Sequence, residues 1–492
     1  MKRDIQVPYV FQCPASGIEE KGVHEVLWYE RNVEDFQTSE QQEAGERLVL
    51  RFGAVDYEAK VWVDGQFYGG HRGGHVPFDV DITDAFTKGK THRLTVRVFD
   101  SAHDLTQPRG KQYWKAQPES IFYTPSGGIW QNVWLESVPT VRIGDASTGT
   151  LLRSNDIEGG NLHASIKVLG RPAGHNYSVE LEVSLGGVVV SKTGKTALPQ
   201  DADIVTLALI RSKTRHRAQQ NMGFNGCRKH QKVEDPLFHY WADRLGFLVW
   251  GEMANAYAFS EEYVQRMDQE WREAVLRDRN HPCIVAWTPV NESWAYTDLG
   301  ASKEQRDHIR SLYYATKVLD PTRPVNDNCG WEHVVTDLTT FHDYADADEL
   351  TNTCKTLDGI LGKKANRPMF LAPIENLADT GSEHTPGAPV ICTEFGGVNI
   401  AREAAVGGDE DRTRDWGYTT ATDPKDLLKR IEKMMKGIVE GGHCCGFVYT
   451  QLTDIEQEVN GVYTPDREEK LDAAEVKKVV ENAMETYAQM HK

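Results

Sequence analysis

The 492-residue sequence has no run of 18 apolar residues, so no membrane-spanning helix is expected. Its start, MKRDIQVPYV, lacks the apolar stretch of a secretory signal, and a cytoplasmic setting is the expectation. Eight cysteines occur without a CxxC pair. Cys227, Cys283, Cys329, Cys392, Cys444 and Cys445 fall in or beside apolar strand-like runs, the pattern of free thiols in a reduced compartment. Cys444 and Cys445 are adjacent, so on a strand they point to opposite faces and make a poor metal or redox pair. Positive charge is scarce: 55 Lys and Arg stand against 73 Asp and Glu, a formal net charge of −18. That balance disfavours nucleic acid or an anionic membrane as partner. No Gly-rich phosphate loop follows a strand, which argues against a nucleotide-binding α/β protein. The remaining composition, 39% apolar and 26% charged, is that of a globular chain long enough for two to four domains.

Residues 1–140 read as all-β. Leu48, Leu50 and Phe52 alternate with polar residues, as do Leu94, Val96 and Val98, and Asp64-Gly65 is a hairpin signal. Short strands with regular turns predict a jelly-roll β-sandwich. Trp62, Trp130 and Trp134 are read as core residues in preference to sugar-stacking platforms. The loop 108–114, PRGKQYW, mixes polar and aromatic residues without a period; it either reaches a neighbouring site or is solvated. Residues 141–205 predict part of an immunoglobulin-like β-sandwich, from two alternating runs and the Gly186-Gly187 turn. From 206 to 492, strands alternate with helices, the signature of a (β/α)8 TIM barrel. Seven strands are convincing; only 205–210 is available as the first, and 212–222 reads as a short basic helix.

In a parallel barrel the functional groups sit at the C-terminal strand ends. Those ends read Arg228 and His230, Glu252, Asn291-Glu292, Asp327-Asn328, His342 and Tyr344, Glu394, and Gln451 with Asp454. One such residue alone is more often a cap or salt-bridge partner; a polar residue after seven successive apolar runs points to a ligand site. Two carboxylates on that rim suit glycoside hydrolysis, in which one protonates the departing oxygen and the other attacks the anomeric carbon or activates water.

The blocks GAVDYEAKVWVDG, GGHVPFDVDIT, TPSGGIWQNVWLE, RNHPCIVAWTPVNES and VICTEFGG resemble glycoside hydrolase family 2, which holds β-galactosidases, β-glucuronidases and β-mannosidases. The resemblance implies a jelly roll, an immunoglobulin-like domain and a (β/α)8 barrel acting with retention. It implies Glu292 as acid/base, Glu394 as nucleophile and Asn291 as the asparagine that binds the sugar. His230, Glu252, Trp331, His342 and Tyr344 match positions lining the glycone pocket, and Gln451 and Asp454 are added as strand-end candidates. The chain departs from the family in two places: the first jelly-roll strands look absent, and LALIRSKTRHRAQQ stands where the second domain should end and barrel strand one begin. The Asn-x-Lys signature with which β-glucuronidases read the sugar carboxylate is replaced by Glu458-Val459-Asn460, so a neutral β-glycoside, galactoside first, is expected. No cofactor is expected; some relatives bind Mg²⁺, but no ligand cluster for it stands out. The alternative is a carbohydrate-binding or interaction protein derived from such an enzyme, motivated by the shortened 200–222 region.

Overall fold

A computed structural model describes residues 2–87, 89–115, 117–157, 159–210, 222–363, 366–400 and 417–491. The chain forms two compact units, one of Met1–Asp104, Pro125–His216 and Gln269–Pro282, the other of Leu105–Thr124, Arg217–Asp268 and Cys283–Lys492.

The first unit holds two β-sandwiches. In the N-terminal one, Val26–Glu34, Thr91–Phe99, Glu58–Val63 and Gln66–Arg72 form one antiparallel sheet in that order, and Phe78–Asp81, Arg47–Phe52 and Val133–Val138 form the other. Leu48, Leu50 and Phe52 meet Val61, Val63, Val96 and Val98 in the core between them. The same period of two corrects the reading of the tryptophans. Val61 and Val63 face inward, so Trp62 faces outward, where its ring lies 5.6 Å from that of Trp28 and 5.6 Å from that of Phe67. Trp62 is half-buried there, Trp134 is exposed, and Trp130 is half-buried, its indole N–H donating to the Gly74 carbonyl at 2.8 Å.

In the second sandwich Ile204–Ile210 pairs antiparallel with Asn161–Leu169, from Lys167↔Ile204 to Asn161↔Ile210. Val205 and Leu207 pack there with Ala164, Ile166 and Val168. The segment considered for barrel strand one is therefore a strand of this sheet, and a boundary at 205/206 cuts through it. An apolar run of that length satisfies either environment, and the antiparallel partner decides. The expected basic helix lies outside the described residues up to 221.

Among the described residues the second unit contains seven parallel strand positions of a barrel. Gly226–Arg228, Leu248–Glu252 and Ile284–Thr288 are neighbours; Val290–Asn291 pairs with Asn328–Cys329; Thr339–His342, Val390–Gly396 and Cys444–Thr450 are neighbours. A bridge from Trp287 to Val325 joins the third position to the fourth. Among the described residues no strand pairs with the outer edge of Gly226–Arg228 or of Cys444–Thr450. The helices between begin on side-chain caps: Asp235 before Pro236–Leu245, Ser302 before Lys303–Leu319, Asp423 before Pro424–Glu440 and Asp472 before Ala473–Met490. Pro424–Glu440 buries Leu427, Ile431, Met434, Met435 and Ile438, the stripe its spacing predicts. All eight cysteines are free; Cys444 is buried and its neighbour Cys445 exposed, as alternation requires. Among the described residues no helix is long and apolar enough to cross a membrane.

Candidate active site

Parallel strands bring their C-terminal residues to one lip, and the carboxylates come together there. Asn291 ends a short strand; its amide N–H donates to Asn255 Oδ1 at 2.8 Å. Glu292 and Ser293 then take left-handed backbone conformations, with φ of 49° and 56°. Such conformations cost about 1 kcal/mol or more per residue and persist only where neighbours hold them. Here Glu292 N–H donates to Cys329 O at 3.0 Å and Ser293 N–H to Asn328 Oδ1 at 2.8 Å. The turn aims the Glu292 side chain at His342, whose Nδ1 lies 2.6 Å from Glu292 Oε1.

Glu394, near the end of Val390–Gly396, is buried. Tyr344 donates its hydroxyl to Glu394 Oε2 at 2.5 Å, Arg228 donates from Nη2 to Oε1, and His342 Nδ1 stands 3.4 Å from Oε2. Carboxylate oxygens of Glu292 and Glu394 lie within 4.8 Å of one another. Carboxyl groups about 5–5.5 Å apart suit double displacement, whereas inversion needs roughly 6.5–9.5 Å to admit a water.

One buried guanidinium, Arg228, serves two buried carboxylates, since its Nη1 also donates to Glu252 Oε2 at 3.0 Å. The two acids separate accordingly. Burial opposes charge on Glu394, but His342, Arg228 and the Tyr344 hydrogen bond outweigh it and hold the carboxyl well below its usual range. Burial pushes Glu252 up to about 8, against the pull of Arg228. Burial also disfavours charge on His342, yet Glu394 and its hydrogen-bond partners raise it to about 10, so it stands protonated between the carboxylates. His230 goes the other way: burial, then Arg228 and Lys111, keep it neutral, and its Nδ1 lies 2.7 Å from Glu252 Oε1.

The model of "Glycosyl hydrolases family 2, sugar binding domain" matches residues 4–139, and that of "Glycosyl hydrolases family 2, TIM barrel domain" matches residues 216–405. The chain belongs to glycoside hydrolase family 2. Among its relatives are a β-glucuronidase of Felis catus, 25% identical over 65% of this chain and 62% of that one, and a β-galactosidase of Thermoanaerobacter pseudethanolicus, 23% identical over 63% of this chain and 49% of that one. The chain thus spans less than two thirds of the length of either. In fold it resembles a β-glucuronidase of an uncultured Clostridium, with a TM-score of 0.65, 19% identity, and 97% of this chain and 91% of that one covered.

The other expected residues of this family 2 site divide by what their polar atoms already do. Asn291 is fully buried; its Oδ1 accepts from Arg228 at 2.9 Å, while its Nδ2 has no partner among the described residues. A buried donor without an acceptor costs about 1–3 kcal/mol, which a ligand hydroxyl relieves. Gln451 Nε2 is in the same condition at the end of the last strand. Trp331 is half-buried beneath Arg367, whose guanidinium carbon is 4.4 Å from the ring. Asp454 does not keep its oxygens for a ligand. Lys470 Nζ lies 2.8 and 3.0 Å from them, and Gly461 N–H donates to one at 2.7 Å, so Asp454 ties down the loop after the last strand.

Four residues left without an assigned role belong here as well. Arg228 was visible as a strand end, but its bridging role needs two acids remote in sequence. Tyr418 stacks on Tyr344, centroids 3.6 Å apart at 12°. Tyr123 donates to Glu458, and Lys111 Nζ is 4.0 Å from a Glu458 oxygen. Both come from Leu105–Thr124, which belongs to the barrel unit although it interrupts the N-terminal sandwich in sequence. The aperiodic mixture at 108–114 was the only signal for it.

Proposed function

We propose that this chain is a retaining β-glycosidase in which Glu394 is the nucleophile and Glu292 the general acid/base. The observation that carries this reading is the pair of carboxylates with oxygens within 4.8 Å, one held ionised. Glu394 attacks the anomeric carbon while Glu292 gives a proton to the glycosidic oxygen, and the alcohol leaves. In the second half Glu292, now a carboxylate, takes a proton from water, the water opens the glycosyl ester, and Glu394 is released. Arg228 and Tyr344 keep the nucleophile charged and oriented, and Asn291 Nδ2 donates to a sugar hydroxyl beside the reacting carbon.

The test is covalent trapping. A 2-deoxy-2-fluoro β-glycoside bearing a good leaving group should label one peptide, 390–397, at Glu394, and the first-formed product should keep the β configuration. Labelling elsewhere, or an α product, removes the assignment.

For the sugar, we favour a β-glucuronide. The relatives named β-glucuronidases support it, and so does Lys111, which puts an ammonium beside Glu458 at 4.0 Å and near His230. A neutral β-galactoside is the second reading, favoured by the carboxylate of Glu458 where the Asn-x-Lys signature would begin. p-Nitrophenyl β-glucuronide and β-galactoside assayed on one folded sample separate them.

A further inference from the structure

A group of aromatic rings, one of them two residues from Glu292, has no part in the chemistry above. Trp294 follows Glu292 by two residues in the same turn, its N–H donating to Asn291 O at 3.0 Å. Its ring lies 5.2 Å from that of Tyr257 and 5.9 Å from that of Phe122. Trp114 completes the group, 4.6 Å from Tyr257 and 5.4 Å from Phe122. All four are half-buried, so each keeps part of its surface open.

Rigid backbone holds them. Arg109 and Gly110 N–H both donate to Asn255 O, at 3.2 and 3.0 Å, while Asn255 Oδ1 accepts from Asn291 N–H. The loop that brings Trp114 and Phe122 is therefore fastened to the residue before Glu292. Gly110 has φ of 61°, and a Cβ there would stand 2.7 Å from Gln231 O, so only glycine permits that fastening.

We propose that Trp114, Phe122, Tyr257 and Trp294 form the leaving-group subsite and that it selects flat aryl aglycones. The inference rests on the glycosidase reading above, and the chemistry supplies its direction. The group that protonates the glycosidic oxygen faces the departing alcohol, so surface carried by the same turn lies on the aglycone side. The side chains choose between kinds of alcohol. The Tyr257 hydroxyl proton is committed to Gly110 O at 2.5 Å; the four side chains otherwise present ring faces and two indole N–H groups, and none of them carries a carboxylate or amide oxygen. A sugar in this place presents hydroxyl protons that need acceptors, whereas a planar arene needs only faces to stack on.

The experiment compares two substrates of the same sugar, whichever the panel above shows to be turned over: a phenyl β-glycoside and the glycosyl fluoride that gives the same covalent intermediate. Trp114→Ala, remote in sequence from both carboxylates, should lower kcat/KM for the phenyl glycoside by about 10-fold or more, since a tenfold change corresponds to one well-placed ring contact. The fluoride has no ring to stack, and its kcat/KM should stay within twofold. Tyr257→Phe, which keeps the ring, should retain most of the phenyl activity. An equal loss on both substrates means that Trp114 only supports the loop, and an unchanged phenyl rate means that the rings do not touch the aglycone; either overturns the proposal. If the unaltered chain hydrolyses neither substrate, the glycosidase reading is what fails. Calorimetric binding of phenyl against methyl β-glucuronide and β-galactoside then decides the subsite: a phenyl preference lost in Trp114→Ala upholds it, and no preference overturns it.

Discussion

Glu292 and Glu394 lie 102 positions apart in the sequence, yet their carboxylate oxygens lie within 4.8 Å. The proton donor between them is His342, 2.6 Å from one and 3.4 Å from the other. Two carboxylates this close repel unless positive charge is placed beside them, and His342 and Arg228 provide it. The arrangement yields the following expectations.

Arg228→Met should cost at least about 100-fold in kcat, because it takes the cation from two buried acids. It should also move the acidic limb of the kcat/KM profile to higher pH, as Glu394 then needs less acid to take up a proton. A pH–rate series on variant and parent checks this; an unmoved limb would show that Arg228 does not set the charge of Glu394.

His342 titrates near 10 in the folded chain, above the ordinary histidine value of 6.5. A group whose folded pKa is raised contributes stability that is fully present below its unfolded pKa and is lost as pH rises through the folded one. The melting temperature of the parent relative to His342→Gln should therefore be highest below about pH 6.5 and should decline toward pH 10. Thermal melts across that range test it, and a difference independent of pH would contradict it.

Glu252, pushed up to about 8, is protonated at neutral pH. Glu252→Gln replaces a neutral acid with a neutral amide of the same shape, so kcat at pH 6 should stay within about threefold of the parent. Glu252→Ala, which takes away one of the acceptors of the buried Arg228 guanidinium, should lose far more. The parent's raised carboxyl pKa also makes its stability fall as pH climbs from about 4.5 to about 8, and Glu252→Gln should flatten that fall.

Lys111→Met tests the sugar. Loss of its ammonium should reduce kcat/KM for a β-glucuronide by about 10–100-fold, the usual consequence of removing a charged hydrogen bond, and should leave a β-galactoside within a few fold. Equal effects on the two sugars would assign Lys111 to holding Glu458 instead of reading substrate.

The sequence by itself carried the kind of domains, the order of the barrel strands and the residues at their ends. Each of these is a local pattern: a period of two, a change to alternating strand and helix, a polar residue after an apolar run. The apolar stripe of Pro424–Glu440 belongs to the same class, because its members lie within a turn or two of one another. Tertiary structure decided what each group does, since that depends on partners remote along the chain. Ile204–Ile210 became a sandwich strand through Asn161–Leu169, and Trp62 faced outward because its neighbours filled the core. Asp454 was taken by Lys470, and Lys111, Trp114, Phe122 and Tyr123 came from the middle of another domain's sequence to the barrel unit. The charge states were decided there as well: Glu252 and Glu394 both end apolar runs and share the guanidinium of Arg228, yet burial keeps the first a neutral acid while His342, together with Arg228, holds the second as an anion.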